Sequence, residues 1–295
     1  MNRKVAFYVM SRRGLYALQK FIENFGVAAI DGVVGAADPA VKDDPYSEIV
    51  ALALQHGIPF YDRNVKQPPF TSGTLKFAVG WRWLIQDAEN LIVFHDSLLP
   101  KYRGFAPLVN CLVKGERATG VSAIFAAEEY DKGKIIAQKS VAIDYPIKIK
   151  HAIEKIEPLY AALIAEIYTD WMAGSDITGV SQLESDATYS PWLDEQDYAI
   201  DWSWPADKIK RFIDAVGYPY AGARTRVADQ IYIIEEAEVM KDLVVENRPR
   251  HLGKIISMRD GIPVVLCGDG LLALQQMTTP AGDACTINFR SRFHA

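Results

Sequence analysis

His95 closes a short apolar run, Leu91-Ile92-Val93-Phe94, and opens Asp96-Ser97-Leu98-Leu99-Pro100-Lys101-Tyr102-Arg103-Gly104, a stretch punctuated by proline and glycine. An apolar run of that length reads as a buried strand, and the proline and glycine turn the chain after it. The imidazole therefore belongs at the carboxyl edge of a sheet, where open α/β sheets hold their ligands. An imidazole can donate a proton or a hydrogen bond where charge develops. Asp131, within Glu128-Glu129-Tyr130-Asp131-Lys132-Gly133-Lys134, is a carboxylate that could orient such a ring or move a proton. Each residue also has an ordinary reading, the histidine as a hydrogen-bonded strand end and the Asp-x-Gly as a turn.

The elements that must position them follow from hydrophobic periodicity. Val5 to Met10 reads as a buried strand, and Leu15, Leu18, Ile22 and Phe25 recur at helical spacing. Ala28 to Val34 is strand-like, and Tyr46, Ile49, Val50, Ala53 and Leu54 mark a second helix. This βαβα order predicts a mostly parallel sheet. Further strands are predicted at Phe77–Val79, Leu91–Phe94, Gly120–Phe125 and Ile135–Val141, with a helix over Leu108–Val113. Ile149, Ala152, Ile153, Ile156, Tyr160, Leu163, Ile164, Ile167 and Trp171 describe one long amphipathic helix, in which Pro158 predicts a kink. Residues 174–200 turn polar, as a linker does, and a smaller unit follows, with a helix over Ala206–Val216 and β-prone runs at Ile231–Ile234 and Val264–Leu266.

Composition excludes little beyond disorder and a membrane protein: 49% of the 295 residues are hydrophobic and 23% charged, enough for a large core in a soluble chain. Cys111, Cys267 and Cys285 are odd in number and far apart, which suggests neither a disulfide framework nor a metal site and fits a cytoplasmic setting. The basic start Arg3-Lys4 leads into an apolar run that Ser11-Arg12-Arg13 interrupts before a signal sequence or membrane span is complete. A formal charge of −5 speaks against an extended nucleic-acid surface.

The spaced set His95-x-Ser97-Leu98-Leu99-Pro100-x-x-x-Gly104-x-x-Pro107, then Thr119-Gly120-Val121-Ser122 and Asp131-x-Gly133, resembles the folate-dependent formyltransferases, the family of the methionyl-tRNA and sugar N-formyltransferases. Val79-Gly80-Trp81-Arg82-Trp83-Leu84-Ile85, Ile200-Asp201-Trp202 and Pro219-Tyr220-Ala221-Gly222-Ala223 extend the resemblance over most of the chain.

The resemblance implies a Rossmann-like, mostly parallel α/β catalytic domain over residues 1–175, a linker over 176–200 and a small β-rich domain over 201–295. It implies 10-formyltetrahydrofolate as formyl donor and a primary amine as acceptor. By position His95 is then the general acid or oxyanion stabiliser, and Asp131 its partner, which could fix the ring or relay the amine's proton through water. The donor would be held by Trp83, Leu84 and Ile85, by the loop Ser97, Leu98, Leu99 and Pro100, and by the main chain of Ala127, Glu128, Glu129 and Tyr130, whose peptide groups can read a pterin edge. Trp81 reads equally well as core. The sequence also departs from the family: Val93 stands where an asparagine two residues before the histidine would help polarise the formyl oxygen. Losing one such donor typically costs about 10²- to 10³-fold in rate. Asn110 and Lys101 are the nearest substitutes in the chain, and Phe105 replaces an arginine that some sugar-linked relatives place on the folate.

From Asp194 to Ala295 there are 15 acidic and 12 basic residues, the wrong balance for gripping a tRNA backbone. The expectation is therefore a small acceptor, an activated amino sugar linked to a nucleotide and destined for surface glycans, with no membrane partner and a homodimer allowed. The alternatives are a methionyl-tRNA formyltransferase with an atypical site, or a folate-binding relative with weakened catalysis. A formyltetrahydrofolate hydrolase would carry a different second domain.

Overall fold

The computed structural model describes residues 3–65 and 67–295. They form two compact units, the first gathering the chain up to Pro107 with Ala118–Ala142 and Ala152–Pro191, the second Leu108–Arg117, Ile143–His151 and Trp192–Ala295. No described helix is long and apolar enough to cross a membrane.

In chain order the elements are β1 (Val5–Val9), α1 (Ser11–Phe25), β2 (Ile30–Gly35), α2 (Tyr46–Gln55), β3 (Phe60–Asp62), β4 (Leu75–Val79) and β5 (Leu91–His95). Then come β6 (Arg103–Gly104), α3 (Pro107–Lys114), β7 (Ala118–Phe125), β8 (Ile135–Ala142), α4 (Ile149–Met172) and β9 (Tyr189–Ser190). Seven strands make one sheet, in the order β3-β2-β1-β4-β5-β7-β8. The first five pair in parallel, whereas β7 runs antiparallel to β5 and β8 antiparallel to β7. All five residues of β1 and of β4 are buried, as befits parallel strands covered on both faces.

Alternation along β5 sends Phe94 to one face and Val93 and His95 to the other. Behind the site, the rings of Phe21, Phe7, Phe77, Phe94 and Tyr160 follow one another at centroid spacings of 5.1, 5.6, 5.8 and 6.0 Å. This aromatic row ties α1 and α4 to the helix-covered face. Helix α4 runs on through Pro158, and every predicted apolar position from Ile149 to Ile167 is buried.

The second unit has α5 (Ala206–Val216) and then β10 (Ala223–Val227), β11 (Gln230–Met240), β12 (Ile255–Arg259), β13 (Ile262–Leu266) and β14 (Leu271–Thr278). These strands form an antiparallel sheet in the order β10-β11-β14-β13-β12. Trp202 anchors the chain to it: its indole N–H donates to Thr225 Oγ1 at 3.0 Å, and that hydroxyl donates to the His294 carbonyl at 2.7 Å.

Candidate active site

His95 ends β5 and is 7% exposed. Its Nε2 lies 2.7 Å from the Tyr102 carbonyl oxygen. A carbonyl only accepts, so Nε2 carries a hydrogen and donates it, and Nδ1 is left as the nitrogen that gains and loses a proton. Nδ1 faces the Asp131 carboxylate, 3.5 Å from Oδ1. The other carboxylate oxygen accepts the Gly104 N–H at 2.7 Å. Structure thus brings His95 and Asp131 together, along with two main-chain groups of the loop that follows β5.

The two arrive from different directions. Phe125 at the end of β7 is registered with Ile92, and the connection 126–134 folds back along β5 until Asp131 is level with His95. Asp131 adopts a left-handed backbone, φ 56°, which aspartate tolerates better than most residues. At Gly133 a Cβ would sit 1.7 Å from the Phe125 carbonyl oxygen, so the glycine of Asp-x-Gly is needed for packing.

The loop after β5 is held from beneath by one buried hydroxyl. Ser122 Oγ donates to the Ser97 carbonyl at 2.6 Å and accepts from the Leu99 N–H at 3.0 Å and from Gln138 Nε2 at 2.7 Å. Gln138 also donates to the Leu99 carbonyl at 2.9 Å, and Ser97 Oγ donates to the Lys101 carbonyl at 2.6 Å. Gly120 leaves room for the loop, since a Cβ there would lie 2.5 Å from Leu98 Cδ2. The side chains of Ser97 and Leu99 are consequently spent inside the protein, at 2% and 4% exposure, while Leu98 and Pro100 are half-buried.

Of the other expected donor-site residues, Ile85 is half-buried with Trp81, Val93 and Ala126 against Tyr8, Ala78 and Leu91. Trp83 and Leu84 are 36% and 69% exposed. Ala127, Glu128, Glu129 and Tyr130 form an exposed turn. The Trp81 indole N–H is buried without a hydrogen-bond partner, and its ring stands edge-on to Trp83 at 5.3 Å. An apolar wall, an open run of peptide groups and an orphaned donor fit a flat heterocycle with polar edges. On this wall burial, with a smaller contribution from Asp87, pushes the Tyr8 hydroxyl up to about 12, so it stays protonated.

Val93 occupies this same apolar cluster and supplies no polar group. Lys101 is exposed, and Asn110 belongs to the second unit. Phe105 is 39% exposed, with its ring 6.1 Å from that of Tyr130.

Three comparisons with known proteins bear on this arrangement. Residues 82–160, which contain both His95 and Asp131, match the formyl transferase family, and residues 193–292 match the formyl transferase C-terminal domain. A methionyl-tRNA formyltransferase of Streptococcus equi subsp. zooepidemicus is 30% identical over 285 residues, 90% of this chain and 87% of that protein. Among solved structures, a sugar 3N-formyl transferase determined in the presence of dTDP and 5-N-formyl-THF superposes with a TM-score of 0.69 at 14% identity, covering 98% of this chain and 99% of its own. An N-formyltransferase of Helicobacter canadensis, in complex with folinic acid and dTDP-3-aminofucose, gives 0.68 at 13% identity over 92% and 99%. These structures share the fold. Identity at the level of the streptococcal relative, sustained through both units, is descent, and the chain belongs to the formyl transferase family.

Proposed function

We propose that the chain transfers a formyl group from 10-formyltetrahydrofolate to the primary amine of a nucleotide-linked amino sugar, with His95 and Asp131 as catalytic residues. The observation that carries this reading is the placing of Nδ1 and a carboxylate oxygen side by side, each held by a main-chain partner. When bound, the donor would supply an electrophilic formyl carbon, to which the acceptor nitrogen adds before the donor nitrogen leaves with a proton. Negative charge develops on the formyl oxygen and a proton must leave the attacking amine. Protonated Nδ1 of His95 donates to that oxygen. Asp131 Oδ1 takes the amine's proton and returns it to the departing nitrogen, while the Gly104 N–H on Oδ2 keeps the carboxylate from turning away. The Tyr102 carbonyl engages the Nε2 hydrogen and so keeps Nδ1 turned to the reacting groups.

The acidic balance of residues 194–295 and the likeness in fold to two sugar N-formyltransferases support the sugar acceptor. The reading places the chain in the cytoplasm, where folate donors and nucleotide sugars are made. The sequence relative supports a second reading, charged initiator tRNA as acceptor. Mass spectrometry of a panel of amino sugar nucleotides, incubated with enzyme and 10-formyltetrahydrofolate, separates the two. Gain of one formyl group by a member of the panel is expected. Formylation of charged initiator tRNA with none across the panel would overturn the sugar reading.

A further inference from the structure

Both groups that hold the His95 ring are themselves held by residues 182–190, a segment whose polar composition marks it as a connection. We propose that Gln182 is a positioning residue for Asp131, and that residues 182–190 set the geometry of the His95–Asp131 pair; the proposal rests on the catalytic roles given above.

Gln182 Nε2 donates to the carbonyl oxygens of Asp131 at 2.6 Å and Gly133 at 2.8 Å. Its Oε1 accepts from Arg103 Nε at 3.0 Å and Nη2 at 2.9 Å. Peptide carbonyls only accept and a guanidinium only donates, so this is the single orientation of the amide that satisfies all four contacts. Arg103 is 1% exposed. Its Nη1 donates to Glu184 at 2.8 and 3.0 Å and to the Tyr189 hydroxyl at 3.2 Å. Burial works against its charge, and the hydrogen bonds to Tyr189 and Glu184 outweigh burial. The next residue, Gly104, gives its N–H to Asp131 Oδ2. A closed circuit therefore runs from the Asp131 carboxylate through Gly104, Arg103 and Gln182 to the Asp131 main chain, at a residue in the left-handed region.

The same segment holds the other partner of His95. Thr188 accepts the Arg103 N–H on its carbonyl at 2.8 Å, and its Oγ1 accepts the Tyr102 N–H at 2.8 Å. Ser190 accepts the Phe105 N–H at 2.8 Å, completing the parallel pair β6–β9. Apolar packing is indifferent to direction, whereas amide and guanidinium bonds fix both distance and angle. A circuit of directional bonds suits a carboxylate that must meet a ring nitrogen and a substrate nitrogen at once.

Gln182→Glu separates positioning from folding, because it keeps the acceptor for Arg103 and removes both donors to the 131–133 main chain. Three quantities are read in the full-length protein: the melting temperature, kcat with KM for the formyl donor, and the ring ¹⁵N resonances of His95, assigned with His95→Ala. The expected result is a melting temperature and KM close to wild type, kcat lowered about tenfold or more, and His95 ring resonances displaced towards those of Asp131→Asn. Wild-type kcat or wild-type ring resonances in Gln182→Glu, where Asp131→Asn displaces them, would overturn the proposal. If Gln182→Glu does not fold, Gln182→Met is read by the same criteria. The resonances need no turnover, so an enzyme that formylates nothing in the acceptor panel would refute the proposed function and leave the test of Gln182 intact.

Discussion

At the scale of single residues, the meeting of His95 with Asp131 was legible because both side chains belong to one characteristic spacing. Their partners were not: the Tyr102 carbonyl and Gly104 N–H are main-chain groups, which leave no mark on residue type. Gln182 was hidden for a related reason, since one amide in a polar stretch has no periodicity to betray it. Val93 is the residue where legibility and chemistry part, for the family resemblance implies an amide there and the structure seats a valine among apolar neighbours. Restoring the amide tests whether the site lacks an oxyanion donor. Val93→Asn is expected to lower stability by about 1–3 kcal/mol, the effect of burying an amide with incomplete partners, and to raise kcat up to about 10²-fold. Denaturant unfolding and initial rates measure the two effects separately.

At the scale of elements, the helices and the longer strands of the first sheet followed from periodicity, whereas β10, β12, β14 and most of β11 did not, and β3, β6 and β9, of two or three residues each, are too short to show any. The antiparallel turn of the sheet at β7 was equally invisible, because a buried strand reads alike in either direction. Its consequence is the returning connection that carries Asp131. The register of β7 against β8 depends on Gly120, where a Cβ would lie 2.2 Å from the Lys139 carbonyl oxygen as well as against Leu98. Gly120→Ala is expected to cost about 1–3 kcal/mol by overpacking and to lower activity through the displaced Leu98 loop, as unfolding and rate measurements would show. On α4, burial lifts the Glu157 carboxyl above the ordinary glutamate value against the pull of Arg12 and Arg13, and its Oε1 has no hydrogen-bond partner. The folded state then binds this proton more tightly than the unfolded state, so its effect on stability worsens as pH rises from the ordinary value to the raised one. Glu157→Gln should raise the melting temperature at neutral pH and lose that advantage in acid below the ordinary glutamate range. A gain independent of pH would contradict this account.

At the scale of the whole molecule, the net charge of −5 and the acidic balance of residues 194–295 argue for an acceptor that is not gripped along a phosphate backbone. For a nucleotide sugar, kcat/KM should change little with salt. A tRNA held by six or more phosphate contacts would lose roughly 10³-fold or more between low and moderate salt, and steady-state rates across that range distinguish the two. The account as a whole turns on the His95–Asp131 pair. Its most direct test is the initial rate of formyl transfer from 10-formyltetrahydrofolate to the best acceptor of the panel by wild type, His95→Ala and Asp131→Asn, with folding checked by melting temperature. Each variant is predicted to lose about 10²- to 10⁴-fold in kcat while remaining folded; a folded His95→Ala that transfers formyl at the wild-type rate would contradict it.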